Sequence, residues 1–326
     1  MARFIAGIGG WAALAAAGAF SPAGCALAAD GPATTRPAET TSAALTYQKP
    51  VRLADLADER IDESSGLAAG RRNPDLLWTH NDSGDGPRLY AVTPAGKTVG
   101  AYTLRGVKAR DWEDLASFKL DGNSYLLAAD VGDNAFKRRR VVLYLAAEPA
   151  IDANAPAEAE LDVLARIPFT LEGGPRDCES VAVDVPNRQI VLLSKERIAS
   201  LRASTVYQLP LQLTTPAEPL VARKVGRCEL SFPTGLDISP DGLRAVAVTY
   251  GNGRVYGRES TDQPWGEVLK REGAVLAMPH LKQGEAVAFG PDGRAIYLTS
   301  EKRPAPLYVL RPQAAATKPA ETPAPK

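Results

Sequence analysis

Three features of the amino-acid sequence predict an all-β fold, a β-propeller of five four-stranded blades. The apolar runs between residues 45 and 312 are short, rich in β-branched residues and bounded by turn residues, and no helical period lasts beyond about three turns. A motif recurs five times, as Glu63-Ser64-Ser65-Gly66-Leu67-Ala68, Asp111-Trp112-Glu113-Asp114-Leu115-Ala116, Asp177-Cys178-Glu179-Ser180-Val181-Ala182, Phe232-Pro233-Thr234-Gly235-Leu236-Asp237 and Gln283-Gly284-Glu285-Ala286-Val287-Ala288. The last copy ends without a fourth strand, while residues 45–53 form an unassigned strand-like run at the start. An N-terminal strand that completes the final blade closes the ring and leaves no exposed edge.

Each element has its own justification. Residues 1–29 read as a secretory signal peptide: Arg3 supplies the early positive charge, 4–20 is apolar and rich in Ala and Gly, and Ala26-Leu27-Ala28 fits a small-x-small cleavage site. A competing site, Pro22-Ala23-Gly24-Cys25, is an imperfect lipobox that would make the product a lipoprotein through Cys25. Residues 30–44 and 313–326 are Ala, Pro and Thr with few large apolar residues, a composition that buries too little surface to offset the entropy of ordering. They are expected to be a flexible linker and a disordered tail around a propeller at 45–312.

Within the body, each motif is followed by a turn, a second strand and a third strand carrying a tyrosine, at Tyr90, Tyr144, Tyr207, Tyr256 and Tyr308. Ser239-Pro240-Asp241-Gly242 and Gly290-Pro291-Asp292-Gly293 place Pro where its fixed φ suits a turn. Fourth strands fit at 98–104, 161–170, 220–225 and 274–278. Matched positions recur about every 50 to 65 residues, against roughly 40 to 50 for a blade with short loops. Six blades is the alternative, if the long interval between Glu113 and Glu179 hides a degenerate one. A β-sandwich leaves the repeated three-strand signature unexplained.

Charge and motifs narrow the function. With 38 basic and 38 acidic residues the chain has no net field to attract nucleic acid. No Gly-x-Ser-x-Gly, P-loop, HExxH or paired CxxC occurs. Beyond the signal peptide no integral membrane span is expected, and the product is expected to be a periplasmic or extracellular monomer. Cys178 and Cys228 are either a disulfide pair in an oxidising compartment or two separate thiols.

In a propeller, residues just before the first strand and just after the second converge on one mouth of the channel. The first set is Ser65, Glu113, Glu179, Thr234 and Glu285, with Glu63, Asp111, Asp177, Phe232 and Gln283 two positions earlier. The second includes His80, Asn81 and Asp82, Asp130 and Asp133, Lys195, Tyr250, and Glu301. Crowded carboxylates raise one another's pKa unless a cation neutralises them, and oxygen-rich sets suit Ca²⁺ or Mg²⁺. The candidate metal ligands are therefore Glu113, Glu179, Glu285, Asn81 and Asp133; the candidate catalytic groups are His80, Asp130 and Lys195. Two plainer readings stand beside these. An acid ahead of each first strand would also serve by accepting backbone N–H bonds from the neighbouring blade, and Trp112, between two acids, either packs against the next blade or stacks a substrate ring. The run Lys137-Arg138-Arg139-Arg140 is either an anion site or a solvated face.

Glu63-Ser64-Ser65-Gly66-Leu67-Ala68, the Asp-Trp-Glu-Asp copy at 111–114, Asp177 with Glu179, Ser194-Lys195-Glu196 and Glu285-Ala286-Val287-Ala288 together resemble bacterial secreted propellers of the SdiA-regulated family. The likeness extends more distantly to esterase-like phytase and lactonase-type propellers. It implies a divalent cation, often calcium, at one end of the channel, with Glu113, Glu179 and Glu285 as mouth carboxylates. Ser65 and Thr234 depart from this pattern, and no phytase active-site motif is present. The expected function is hydrolysis of a small ester, lactone or phosphoester by an exported, metal-dependent propeller. The alternative is a non-catalytic propeller that recognises a glycan, peptide or envelope ligand.

Overall fold

A computed structural model of the protein describes residues 45–82, 84–195 and 203–313. The expected signal peptide, the linker, Cys25 and residues 314–326 lie outside the described residues. No helix among the described residues is long and apolar enough to cross a membrane.

The chain is all-β. After a leading strand, β1 (Val51–Asp55), come five antiparallel meanders. The first is β2 (Ser64–Ala69), β3 (Leu77–Asn81), β4 (Arg88–Val92) and β5 (Thr98–Leu104). The second is β6 (Trp112–Leu120), β7 (Asn123–Asp130) and β8 (Val141–Ala147), an excursion through β9 (Ala157–Leu161), and β10 (Val163–Leu171). The third is β11 (Cys178–Asp184), β12 (Gln189–Ser194), β13 (Ser204–Pro210) and β14 (Leu220–Cys228). The fourth is β15 (Gly235–Ile238), β16 (Arg244–Val248) and β17 (Gly253–Gly257), then the short helix α1 (Trp265–Val268) and β18 (Ala274–Leu276). The fifth is β19 (Gln283–Phe289), β20 (Ile296–Glu301) and β21 (Pro306–Leu310). The predicted turns form as their Pro and Gly require: Gly242 and Gly293 have φ of 70° and 64°, and their N–H groups reach Ser239 O and Gly290 O at 2.7 and 2.9 Å.

Hydrogen bonding gathers the strands into sheets of four, eight, four and five. β1 pairs antiparallel with β21, so the N-terminal strand supplies the fourth strand of the last meander. The eight-stranded sheet arises because β10 and β14, the outer strands of the second and third meanders, pair in parallel. Its terminal strands β6 and β11 lie against each other, so the sheet curls almost closed. The long interval between Glu113 and Glu179 is occupied by β9, which pairs in parallel with β5 and extends the first sheet. The first strands of the five meanders pack in cyclic order, β2 on β6, β6 on β11, β11 on β15, β15 on β19 and β19 on β2.

The core follows that order. Buried apolar side chains fall into five clusters, each filled from two consecutive meanders and the last joining the fifth to the first. Trp78 and Leu89, for instance, meet Trp112 and Leu126. Burial of this kind contributes about 1.5 to 3 kcal/mol per large side chain and is the main cohesive term. Cys178 and Cys228 are separate buried thiols in two of these clusters, so the pairing alternative is not what forms.

Candidate metal centre at the bulged glutamates

The repeated motif forms the start of the first strand in four meanders, and each of those strands is interrupted at the same place. Register slips between Ser64 and Gly66, between Trp112 and Asp114, between Cys178 and Ser180, and between Gly284 and Ala286. The extra residue is Ser65, Glu113, Glu179 or Glu285. A β-bulge leaves its residue out of the ladder and re-aims its side chain. The matched position is thus freed from the strand's in-out alternation and turned toward its equivalents.

Around Glu113 the outcome is a knot of carboxylates. Oxygens of Asp82, Asp111 and Glu113 lie within 4.8 Å of one another, and so do those of Glu113, Asp177 and Glu179. Glu113, Asp177 and Glu179 are buried, whereas Asp82 and Asp111 are half-buried and open the group to solvent. Glycine makes the approach possible at one point, because a Cβ on Gly132 would fall 2.0 Å from Glu113 Oε1 and 2.6 Å from the Asp111 carboxylate.

Electrostatics record the crowding. Burial, then the charges of Glu179, Asp82, Asp111 and Asp177, hold the Glu113 carboxyl well above the usual carboxylate range. Glu179 is pushed up to about 7, by burial first and by Asp177 and Asp82 after, even though Lys195 opposes the shift. The Lys195 ammonium donates to Glu179 Oε2 and, at 2.9 Å, to the Tyr250 hydroxyl. Burial works to lower the Lys195 pKa, but Glu179 and Tyr250 overcome it and hold it above the ordinary lysine value. Lys195 is therefore a fixed positive charge, not a base.

Glu285 stands beside this knot rather than in it. Its Oε2 lies 3.4 Å from Ser65 Oγ and it shares a hydrogen bond with Glu301, and burial followed by that bond pushes its pKa up to about 10. Burial and the Glu301 contact thus favour its neutral form, and it is not one of the carboxylates of the two triads. The hydroxyl at the departing position Ser65 donates at 2.9 Å to Glu113 O, and that of Thr234 donates at 2.9 Å to Gly284 O. Where the motif lacks a glutamate, a hydroxyl ties one first strand to the next.

Other expected site residues are occupied elsewhere. Asn81 Oδ1 accepts from the N–H groups of Asp62 and Glu63, and its amide donates to Arg60 O and Asp85. Both oxygens of Asp133 accept from the backbone of Lys137 and Arg138, at 2.9 and 2.8 Å, so this carboxylate caps its own loop. Asp130 pairs with Arg138 at 2.6 Å and accepts from the N–H groups of Arg110 and Asp111. That pairing also accounts for the second residue of the 137–140 basic run. His80 is fully buried above Gly66, where an added Cβ would come within 2.3 Å of its Nε2; its Nδ1 lies 2.8 Å from Asn81 O. Burial depresses its pKa to about 4, against the Asn81 and Asp114 backbone. Neutral and shut away from solvent, it is poorly placed to exchange a substrate proton. Trp112 is buried edge-on to His80 at 5.4 Å and beside Tyr144, so it packs rather than presenting a stacking face.

The expectation that acids ahead of the first strands accept backbone N–H groups from the neighbouring meander is met by Asp177, whose Oδ1 accepts from the Asp133 N–H at 2.8 Å. Two acids inside the first strands act in the same way. Asp114 Oδ2 accepts from Val181 and Leu236 at 2.7 and 3.3 Å, and Oδ1 from Leu115 at 2.8 Å, which links β6, β11 and β15 through one side chain. Asp237 likewise accepts from Phe289 at 2.7 Å and Ile238 at 2.8 Å, joining β15 to β19.

Asp111 and Asp177 join the site from the first position of the motif, and Asp82 from just after the second strand. Their signal in the sequence is the Asp-x-Glu spacing of 111 with 113 and of 177 with 179.

No protein-family model matches this sequence, and no curated protein matches it significantly.

Proposed function

We propose that the chain is an exported five-bladed β-propeller that binds a divalent cation, Ca²⁺ or Mg²⁺, at one mouth of its channel and hydrolyses a small ester, lactone or phosphoester there. The cyclic packing of five first strands, the five shared core clusters and the pairing of β1 with β21 support the five-bladed reading over the six-bladed one. The single observation that carries the functional reading is the convergence of five carboxylates, from Asp82, Asp111, Glu113, Asp177 and Glu179, with the Lys195 ammonium paired to Glu179. Anions held this close out of water call for a cation, and all-oxygen donors favour a hard one. The resemblance to SdiA-regulated propellers supports calcium. A cation on the half-open side, at Asp82, Asp111 and Glu113, would keep positions for water and for a carbonyl or phosphoryl oxygen, whose attack it would assist by polarisation. Lys195 would then line that mouth as a donor for developing negative charge.

A second reading rests on the other triad. Glu113, Asp177 and Glu179 are all buried, as befits a closed structural ion that clamps blades together while the rim binds a glycan, peptide or envelope ligand. Metal analysis of the purified protein, with a melt in chelator and after calcium return, tests both. A bound divalent ion and a melting point restored by calcium are expected; no ion and no response removes both readings. Metal-dependent turnover in an ester, lactone and phosphoester panel, lost in Asp111→Asn, separates the enzyme from the binder.

A further inference from the structure

The far ends of the first two first strands carry a constellation of the opposite sign. Arg71 and Arg72 follow β2, Lys119 lies near the end of β6, and Ser124 and Tyr125 open β7. They line a cavity of about 580 Å³ whose one acidic lining residue is Glu148. Six residues of extended chain separate Lys119 from Glu113, about 20 Å at the rise of a strand, so the cavity lies on the face away from the carboxylates.

Glu148 offsets part of this positive charge, but its oxygens are already occupied. Its two oxygens accept from the backbone of Arg71, Arg72 and Asn73, from the Asn73 amide and from the Trp78 indole, at 2.7 to 3.3 Å. Its lone pairs hold the loop after β2 in place. The largely buried guanidinium of Arg71 is oriented by two neutral carbonyls, Nε donating to Ser117 O at 3.2 Å and Nη1 to Gly290 O at 3.5 Å. Among the described residues its Nη2 makes no hydrogen bond, and no carboxylate comes within ion-pairing distance of Arg71, Arg72 or Lys119. Burial lowers the Arg71 pKa, with Asp237 and Glu148 pulling the other way. Asp237 is itself committed to the backbone of β15 and β19.

We propose that this cavity is an anion site for inorganic phosphate or a phosphomonoester, with Arg71 at its floor and Arg72 and Lys119 at its rim. Three cations match a dianion better than a carboxylate monoanion, and a guanidinium already fixed at Nε and Nη1 presents Nη2 without further loss of side-chain freedom. Ser124 and Tyr125 add hydroxyls to the same wall. The site is independent of the cation at the other mouth.

Calorimetric titration of the full chain with inorganic phosphate, in chelator so that no metal bridges the anion, tests it. One saturable site is expected. Arg72→Gln and Lys119→Gln should each weaken it about 3- to 10-fold, and Arg71→Lys about tenfold, as charge-assisted hydrogen bonds do. The two rim side chains are exposed, so their variants should melt like the parent in phosphate-free buffer. Failure to saturate, saturation that the three substitutions leave unchanged, equal competition by acetate, or binding that appears only when metal is restored would each overturn the proposal.

Discussion

Glu113 and Asp114 are neighbours in the chain, both buried and both held far above the carboxylate range by desolvation, yet their surroundings differ. Asp114 receives three backbone N–H groups from three strands, whereas Glu113 faces the carboxylates of Asp82, Asp111, Asp177 and Glu179. Burial alone therefore does not distinguish a lock from a site. The groups around the oxygens do, because a buried carboxyl met by amide donors has its acceptors satisfied by the fold, while one met by other carboxyls does not.

The largest effect that would break this contrast belongs to the lock. Asp114→Ala orphans three buried backbone donors at about 1 to 3 kcal/mol each, so a loss of about 3 to 5 kcal/mol in denaturant unfolding is expected. A loss under about 1 kcal/mol would mean that the three first strands hold together without it.

Asp237 gives the next effect, read through pH. Its folded pKa, raised to about 6 by burial against the pull of Arg71 and two backbone donors, exceeds the usual 3.8. The folded state therefore binds this proton more tightly than the unfolded chain does. Its contribution is fully favourable below the unfolded value, and it is lost as pH rises from about 4 through 6. The difference amounts to about 3 kcal/mol at 1.36 kcal/mol per pKa unit. Urea unfolding of the parent and of Asp237→Asn across pH 4 to 7 should show the parent gaining on the variant as pH falls. A constant gap would show that the N–H groups of Phe289 and Ile238 fully stabilise the carboxylate.

The smallest effect sharpens the site. With calcium at a hundred times its dissociation constant the parent should gain about 2.7 kcal/mol, and Glu113→Gln should gain little. In chelator the same variant should melt no lower than the parent, since it removes one of five crowded charges. A variant that melts much lower without metal would place Glu113 with Asp114 among the locks.

Much of the fold is legible in the sequence. Pro-Asp-Gly turns, β-branched second strands and the tyrosine-bearing third strands are local signals, and they set most strand positions to within a few residues. Residues 157–161 are not legible as a strand, because Ala157–Leu161 alternates Ala and Glu and is held by pairing with β5, a partner more than 50 residues away. The site is legible as a neighbourhood and not as a ligand set. Asn81 and Asp82, or Asp130 and Asp133, lie within a few residues of one another, and sequence does not say whether a side chain aims at the other carboxylates or at its own loop. The bulges escape for the same reason. An unpaired residue at Glu113 exists only relative to the register of β7 against β6.

The pairing of β1 with β21 has one more consequence. Gln48 N–H bonds Arg311 O at 2.9 Å, Tyr47 bridges Pro312, and Gln313 N–H bonds Thr46 O at 2.8 Å. The last sheet is thus completed only by a contact that spans the whole body, the most expensive loop the chain has to close and one that no partial length of it can make. Thr46 and Gln313, near the two ends of the described body, therefore lie side by side.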